Sequence, residues 1–224
     1  MKRILKWFLG AVLLLVALAV VFLLSLDTIL RVTAEHRIRA QTGMDAEIGK
    51  FHFGLLEPVV TITNLKIHNP PAFGGTPFLT IPEIHVEYDR DALAKGQIHL
   101  TLVRFNLAEL VIVKNEAGQT NLFAFGIALP QKGAPGGGNA GLKELKLRTG
   151  MEFQGIDALN VSVGTARFLD LHNPANNREQ KFGIDNLVLK NIKSRADLTG
   201  LTLLVALRGG DFFKSVFGSS LNLQ

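Results

Sequence analysis

The sequence predicts a mainly β (α+β) protein: an N-terminal transmembrane helix, a stalk helix, and a curved antiparallel sheet that forms a groove or a sandwich. Three observations predict it. Residues 7–26, WFLGAVLLLVALAVVFLLSL, carry no charge. From Ala46 onward, apolar residues recur with a period of two over several stretches bounded by Gly, Pro and Asn. Between these regions, Thr28 to Gln41 has helical spacing.

The apolar run is about 20 residues, which at roughly 1.5 Å per residue spans roughly 30 Å, the thickness of a bilayer's hydrocarbon core. A cleaved signal peptide has a shorter apolar region ending at a small-residue site, whereas Ala17 and Ala19 lie in mid-run here. Residues 1–26 therefore read as a retained anchor. Lys2, Arg3 and Lys6 precede it and favour the cytoplasmic side. The bulk of the chain is then translocated, into the periplasm if the host is a Gram-negative bacterium. Of 24 basic residues these three belong to the anchor, leaving 21 against 19 acidic. The pI of about 9.6 is thus partly the anchor's, and no basic patch points to nucleic acid. The absence of cysteine excludes disulfides, thiolate metal sites and a cysteine nucleophile.

Residues 27–44 read as the stalk: Ile29, Leu30, Ala34 and Ile38 fall near helical spacing and Gly43 is the stop. The β domain occupies 45–224. Glu47 to Phe53 predicts a strand, Gly54 to Pro58 a turn, and Val59 to His68 a second strand. In the second, Val60 and Ile62 are out of phase with Leu65 and Ile67, which predicts a bulge near Asn64. A loop from Asn69 to Pro77 leads to a third strand, Phe78 to Tyr88, where Pro82 predicts irregularity or an edge position. Asp89 to Lys95 reads as one helical turn closed by Gly96. Ile98, Leu100 and Leu102 mark a fourth strand, and Phe105 to Lys114 a fifth with another slip around Leu107.

After the turn at Asn115 to Gln119, the low-complexity stretch 131–141 reads as a flexible loop. Leu142 to Leu147, Asp157 to Val163, Ala166 to Leu171 and Phe182 to Asn191 are strand-like. Leu201 to Leu207 fits a strand or a helix, and Asp211 to Phe217 a short amphipathic helix. Leu65 to Pro70 (LKIHNP) resembles Leu169 to Pro174 (LDLHNP), each a strand ending in a turn.

The chemistry-bearing residues do not assemble into a motif. His52, His68, His85 and His99 fall on successive strands, but none has the spacing of a metal site, and they alternate with apolar residues as a polar sheet face does. Glu83, Glu87, Asp89 and Asp91 read as a solvated strand face followed by a helix cap. There is no G-x-S-x-G elbow and no HExxH. The expectation is a non-enzyme without cofactor or metal.

From the anchor to Leu122 the chain resembles the N-terminal region of the AsmA-like proteins, inner-membrane-anchored periplasmic proteins of Gram-negative bacteria. The resemblance lies in an ordered set: the basic-flanked anchor, Asp27, the helix ending near Gly43, Val60 to Phe73, Leu79 to Asp89, Leu93, Gly96 to Ile98, Leu107 to Ile112, and Glu116 to Leu122. It implies a taco-like β-groove with an apolar lining, localisation at the inner membrane, and a part in phospholipid transport or outer-membrane and envelope homeostasis. The groove-facing residues expected are Ile84, Val86, Ile98 and Leu100, and the partners are membrane and phospholipid. The alternative is a non-catalytic scaffold with an ordinary packed core that holds a protein partner on an edge strand or its C-terminal helix.

Overall fold

The structure is a computed structural model and describes residues 25–54, 56–122 and 149–217. Most of the expected anchor, the low-complexity loop 131–141 and the strand expected at Leu142 to Leu147 lie outside these residues. Among the described residues, no helix is long and apolar enough to cross a membrane.

Six strands form one open sheet in sequential order: β1 (Asp45–Phe53), β2 (Val59–His68), β3 (Pro77–Tyr88), β4 (Gln97–Lys114), β5 (Glu152–Asp170) and β6 (Arg178–Ile192). Neighbours are antiparallel except β4 and β5, which are parallel. The all-antiparallel sheet expected from the sequence is therefore corrected to a mixed one. A parallel pair needs a crossover of a dozen residues or more, and the long segment between Lys114 and Glu152 supplies the length. Among the described residues no second sheet packs on the first.

Two further expectations change. The separate strands at Ile98 to Leu102 and Phe105 to Lys114 are one 18-residue strand, β4. Those at Asp157 to Val163 and Ala166 to Leu171 are one 19-residue strand, β5. In each case an internal change of phase imitates a strand break. The C-terminal apolar segments likewise merge into one helix, α3 (Thr199–Phe217). The first helix, α1, is described over residues 25–42; Gly43 ends it at φ 69°, its N–H bonded to Arg39 O at 2.8 Å. A short helix, α2 (Arg90–Ala94), joins β3 to β4.

The phase changes share one cause. Ile48, Leu65, Ile81, Leu110, Ala166 and Ile184 pack in the main core together with Phe51, Ile62, Ile84, Leu107, Val163 and Leu187. On every strand the two core positions are three residues apart, whereas regular alternation would put such residues on opposite faces. All six strands therefore slip by one residue along a single line across the sheet. The slip needs unusual backbone, and the residues supply it. Asn64 and Asn186 sit at φ 54° and 47°. Gly49 lies where a Cβ would be 2.9 Å from that of Asn64, and Gly164 where one would be 2.3 Å from Ala108 O. Pro82, in β3, has no N–H to give. β3 is an interior strand, so the irregularity expected there is present and the edge position is not. Because neighbours slip together, pairing from β1 to β5 keeps its register through this line; only β5–β6 shifts.

Candidate functional site

Directly paired residues on adjacent strands share a face, and one face of this sheet is apolar along whole rows. One row runs Phe51, Ile62, Ile84, Phe105, Val161, Leu187; the next runs Phe53, Val60, Val86, Val103, Leu159, Leu189. Beyond the line of slips, Ala46, Ile67, Leu79, Leu110 and Ala166 make a third. Tyr88, Leu100, Ile156 and Ile192 make a shorter one at the sheet's other end.

Two helices wall this face. α1 runs antiparallel to β1: Asp27 accepts from Phe53 N at 3.0 Å, and Glu35 from Ile48 N at 2.8 Å. These carboxylates occupy N–H groups on the outer edge of β1, which would otherwise invite another strand. Ala34 and Ile38 turn into the core. At the opposite edge, Arg208 of α3 donates to Phe182 O and Gly183 O, each at 2.6 Å. Leu201, Leu204, Val205, Phe212 and Val216 pack inward. Both helices start at the same end of the sheet. Between them lies an apolar floor that the described residues leave half-buried, including Ile62, Ile84, Phe105 and Leu107. α1, read from the sequence as a stalk, packs along β1 and forms one wall of this trough.

The four residues expected to line a groove are all half-buried. Ile84 and Val86 lie on neighbouring apolar rows. Leu100 pairs with Tyr88, two residues beyond Val86. Ile98 pairs with Phe153 on β5, just outside a register shift.

At the end where α1 and α3 start, an open pocket of about 450 Å³ is polar rather than apolar. His99 is its centre, with Nε2 at 2.9 Å from Asp157 and Nδ1 at 3.5 Å from Asp89. The hydrogen bond to Asp157, with help from Asp89, raises the His99 pKa above its usual 6.5. Asp89 also caps α2, accepting from Asp91 N at 2.8 Å and Ala92 N at 3.1 Å, and the Ala92 bond is the largest cause of its lowered pKa. The acidic cluster thus includes the helix cap expected of it. His99 acts as a clamp holding the β3–β4 connection to β5.

The other strand histidines do not converge. His52 meets Asp27 at 3.2 Å, and His85 lies between Thr61 at 2.8 Å and Glu87 at 3.1 Å. Among the described residues, no group of three or more His, Cys, Asp or Glu could hold a metal ion.

Sequence reasoning missed a polar network at the far end of the sheet. Asn121, fully buried, accepts from Val113 N and donates to Val111 O and Asn69 Oδ1. Asp170, 3 % exposed, accepts from His172 N, Asn173 N and Asn176 Nδ2, and meets Lys114 at 3.4 Å. The Asn176 bond is the largest cause lowering its pKa to about 2. The only signal was the repeated His-Asn-Pro: the first copy precedes a 3₁₀ turn, Pro71–Phe73, and the proline of the second begins one, Pro174–Asn176.

No family model matches the chain, and no curated protein or solved structure matches it.

Proposed function

We propose that this chain is a membrane-anchored, non-catalytic protein of the bacterial envelope, AsmA-like in kind, that shelters phospholipid acyl chains on the apolar floor between α1 and α3. The observation that supports the reading is the pair of apolar rows crossing all six strands, half-buried on every strand but β5, where Val161 and Leu159 are buried. An apolar strip of this sort accepts acyl chains with little discrimination, because each methylene contributes only about 0.8 kcal/mol and no polar group selects among them. The uncharged run 7–26 and its flanking Lys2, Arg3 and Lys6 support an inner-membrane anchor with the sheet in the periplasm. Ile84, Val86, Ile98 and Leu100 are the floor residues assigned to lipid.

A second reading, a scaffold for a protein partner, draws on Leu203 and Leu207. They lie one turn apart on α3 and are 57 % and 74 % exposed.

The test uses residues 25–224, which retain α1. Phospholipid extracted from the purified domain and counted by mass spectrometry is expected in stoichiometric amount. Val86→Asp should remove it while the β-type circular dichroism persists. A folded domain that carries no lipid, and takes none from liposomes, would leave the scaffold as the better reading.

A further inference from the structure

Three connections lie at the end of the sheet where α1 starts: the β1–β2 turn, the β3–β4 connection containing α2, and the link from β6 to α3. The first two touch, since Tyr88 N donates to Pro58 O at 3.0 Å. Both present leucine to solvent. Leu56 is 90 % exposed at the β1–β2 turn and Leu93 is 39 % exposed on α2. A leucine as exposed as Leu56 makes no contribution to the core, and burying it in an apolar phase is favourable.

What lies opposite this end follows from the chain itself. Asp27 is bonded to Phe53 N and to His52, so the β1–β2 turn begins immediately beside residue 27. The uncharged run of the sequence ends at Leu26. If that run is in a bilayer, the turn carrying Leu56 is held at the bilayer surface by two hydrogen bonds from the first residue after the run.

We propose that the domain docks end-on to the membrane, with Leu56 and Leu93 entering the interfacial region as a second contact beside the anchor. This rests on the anchored reading above. The occupant is a lipid surface, chosen because the exposed leucines adjoin the exit of the apolar run. Two contacts fix tilt and rotation where a single helix would leave the domain swinging, and they would hold the end of the sheet where α1 and α3 start at the bilayer.

The chain has no cysteine, so single cysteines can report depth. The full chain, carrying Leu56→Cys, Leu93→Cys, Glu116→Cys or Leu15→Cys, is labelled with a polarity-sensitive fluorophore. It is then reconstituted in phosphatidylethanolamine–phosphatidylglycerol vesicles. Position 116 is the aqueous control: it follows β4, whose 18 residues at roughly 3.3 Å each place it roughly 60 Å from the docking end. Position 15 reports the anchor. End-on docking predicts blue-shifted emission at 56 and 93, lost to nitroxide-bearing lipid and protected from aqueous iodide, with 116 showing the reverse. Quenching by lipid at 15 but iodide-accessible emission at 56 and 93 would overturn the docking and leave the anchor standing. Iodide-accessible emission at 15 would overturn both.

Discussion

Asp170 shows how one side chain can set a corner of the fold. Its carboxylate gathers two backbone N–H groups, the Asn176 amide and the Lys114 ammonium at the point where β5 ends. The folded pKa, about 2, lies below the ordinary 3.8. The stabilisation it brings is therefore complete above the ordinary value and is lost as pH falls from there through about 2. Asp170→Asn keeps an oxygen for the N–H groups but loses the charge facing Lys114. Its Tm is expected below that of the parent at neutral pH, with the gap closing as the pH approaches 2, followed by thermal scans. At this scale the sequence was only partly legible. The cap at Asp89 could be read because it sits directly before its helix. Asn121 could not, since only the folded sheet brings Asn69 to it; Asp170 has its N–H partners two and three residues on, but Lys114 reaches it from 56 residues away.

The elements are tied together by the line along which all six strands change phase. Two of the six slips, near Asn64 and around Leu107, were visible as broken alternation in the sequence. The slip at Gly164 passed for a gap between two strands, and the one in β6 was hidden because Asp185 and Asn186 are exposed at an edge. That all six coincide is a property of register, which no single strand reveals. The mixed topology was hidden for the same reason: the local pattern of β4 and β5 does not say in which direction they pair.

Gly164 is the most exacting point on this line, because a Cβ there would lie 2.3 Å from the carbonyl oxygen of Ala108. Gly164→Ala is expected to cost about 1–3 kcal/mol by forcing the central parallel pair apart. Gly210→Ala, in the interior of α3 with nothing within 4 Å of the new methyl, should instead gain about 0.5–1 kcal/mol from helix propensity. Urea unfolding of the two variants in one detergent checks both signs.

For the whole molecule, the expected mainly β fold is present as one open mixed sheet of six strands, with an apolar face flanked by two helices. Six strands roughly 4.8 Å apart make a sheet roughly 25 Å across. Under the proposed function, that width suits a shelter for acyl chains near the bilayer rather than a conduit to a second membrane. The alternation of Ile84, Val86 and Tyr88 with Glu83, His85 and Glu87 indicated one apolar strand face, but not whether that face lines a groove or a packed core. Nor could the sequence indicate that α1 would pack along β1, because that depends on Asp27 and Glu35 finding strand N–H groups 26 and 13 residues away.

Phe105 lies mid-floor, in the row that crosses all six strands. Replacing it with the photoreactive benzoylphenylalanine keeps an aromatic ring in place. The full chain carrying this change is irradiated in cells, and the β4 peptide is weighed, with the same label at Glu116 for comparison. A phospholipid adduct at 105 and none at 116 is the predicted result. Adducts to protein alone at 105, or equal lipid labelling at the two positions, would contradict the apolar floor as a lipid site.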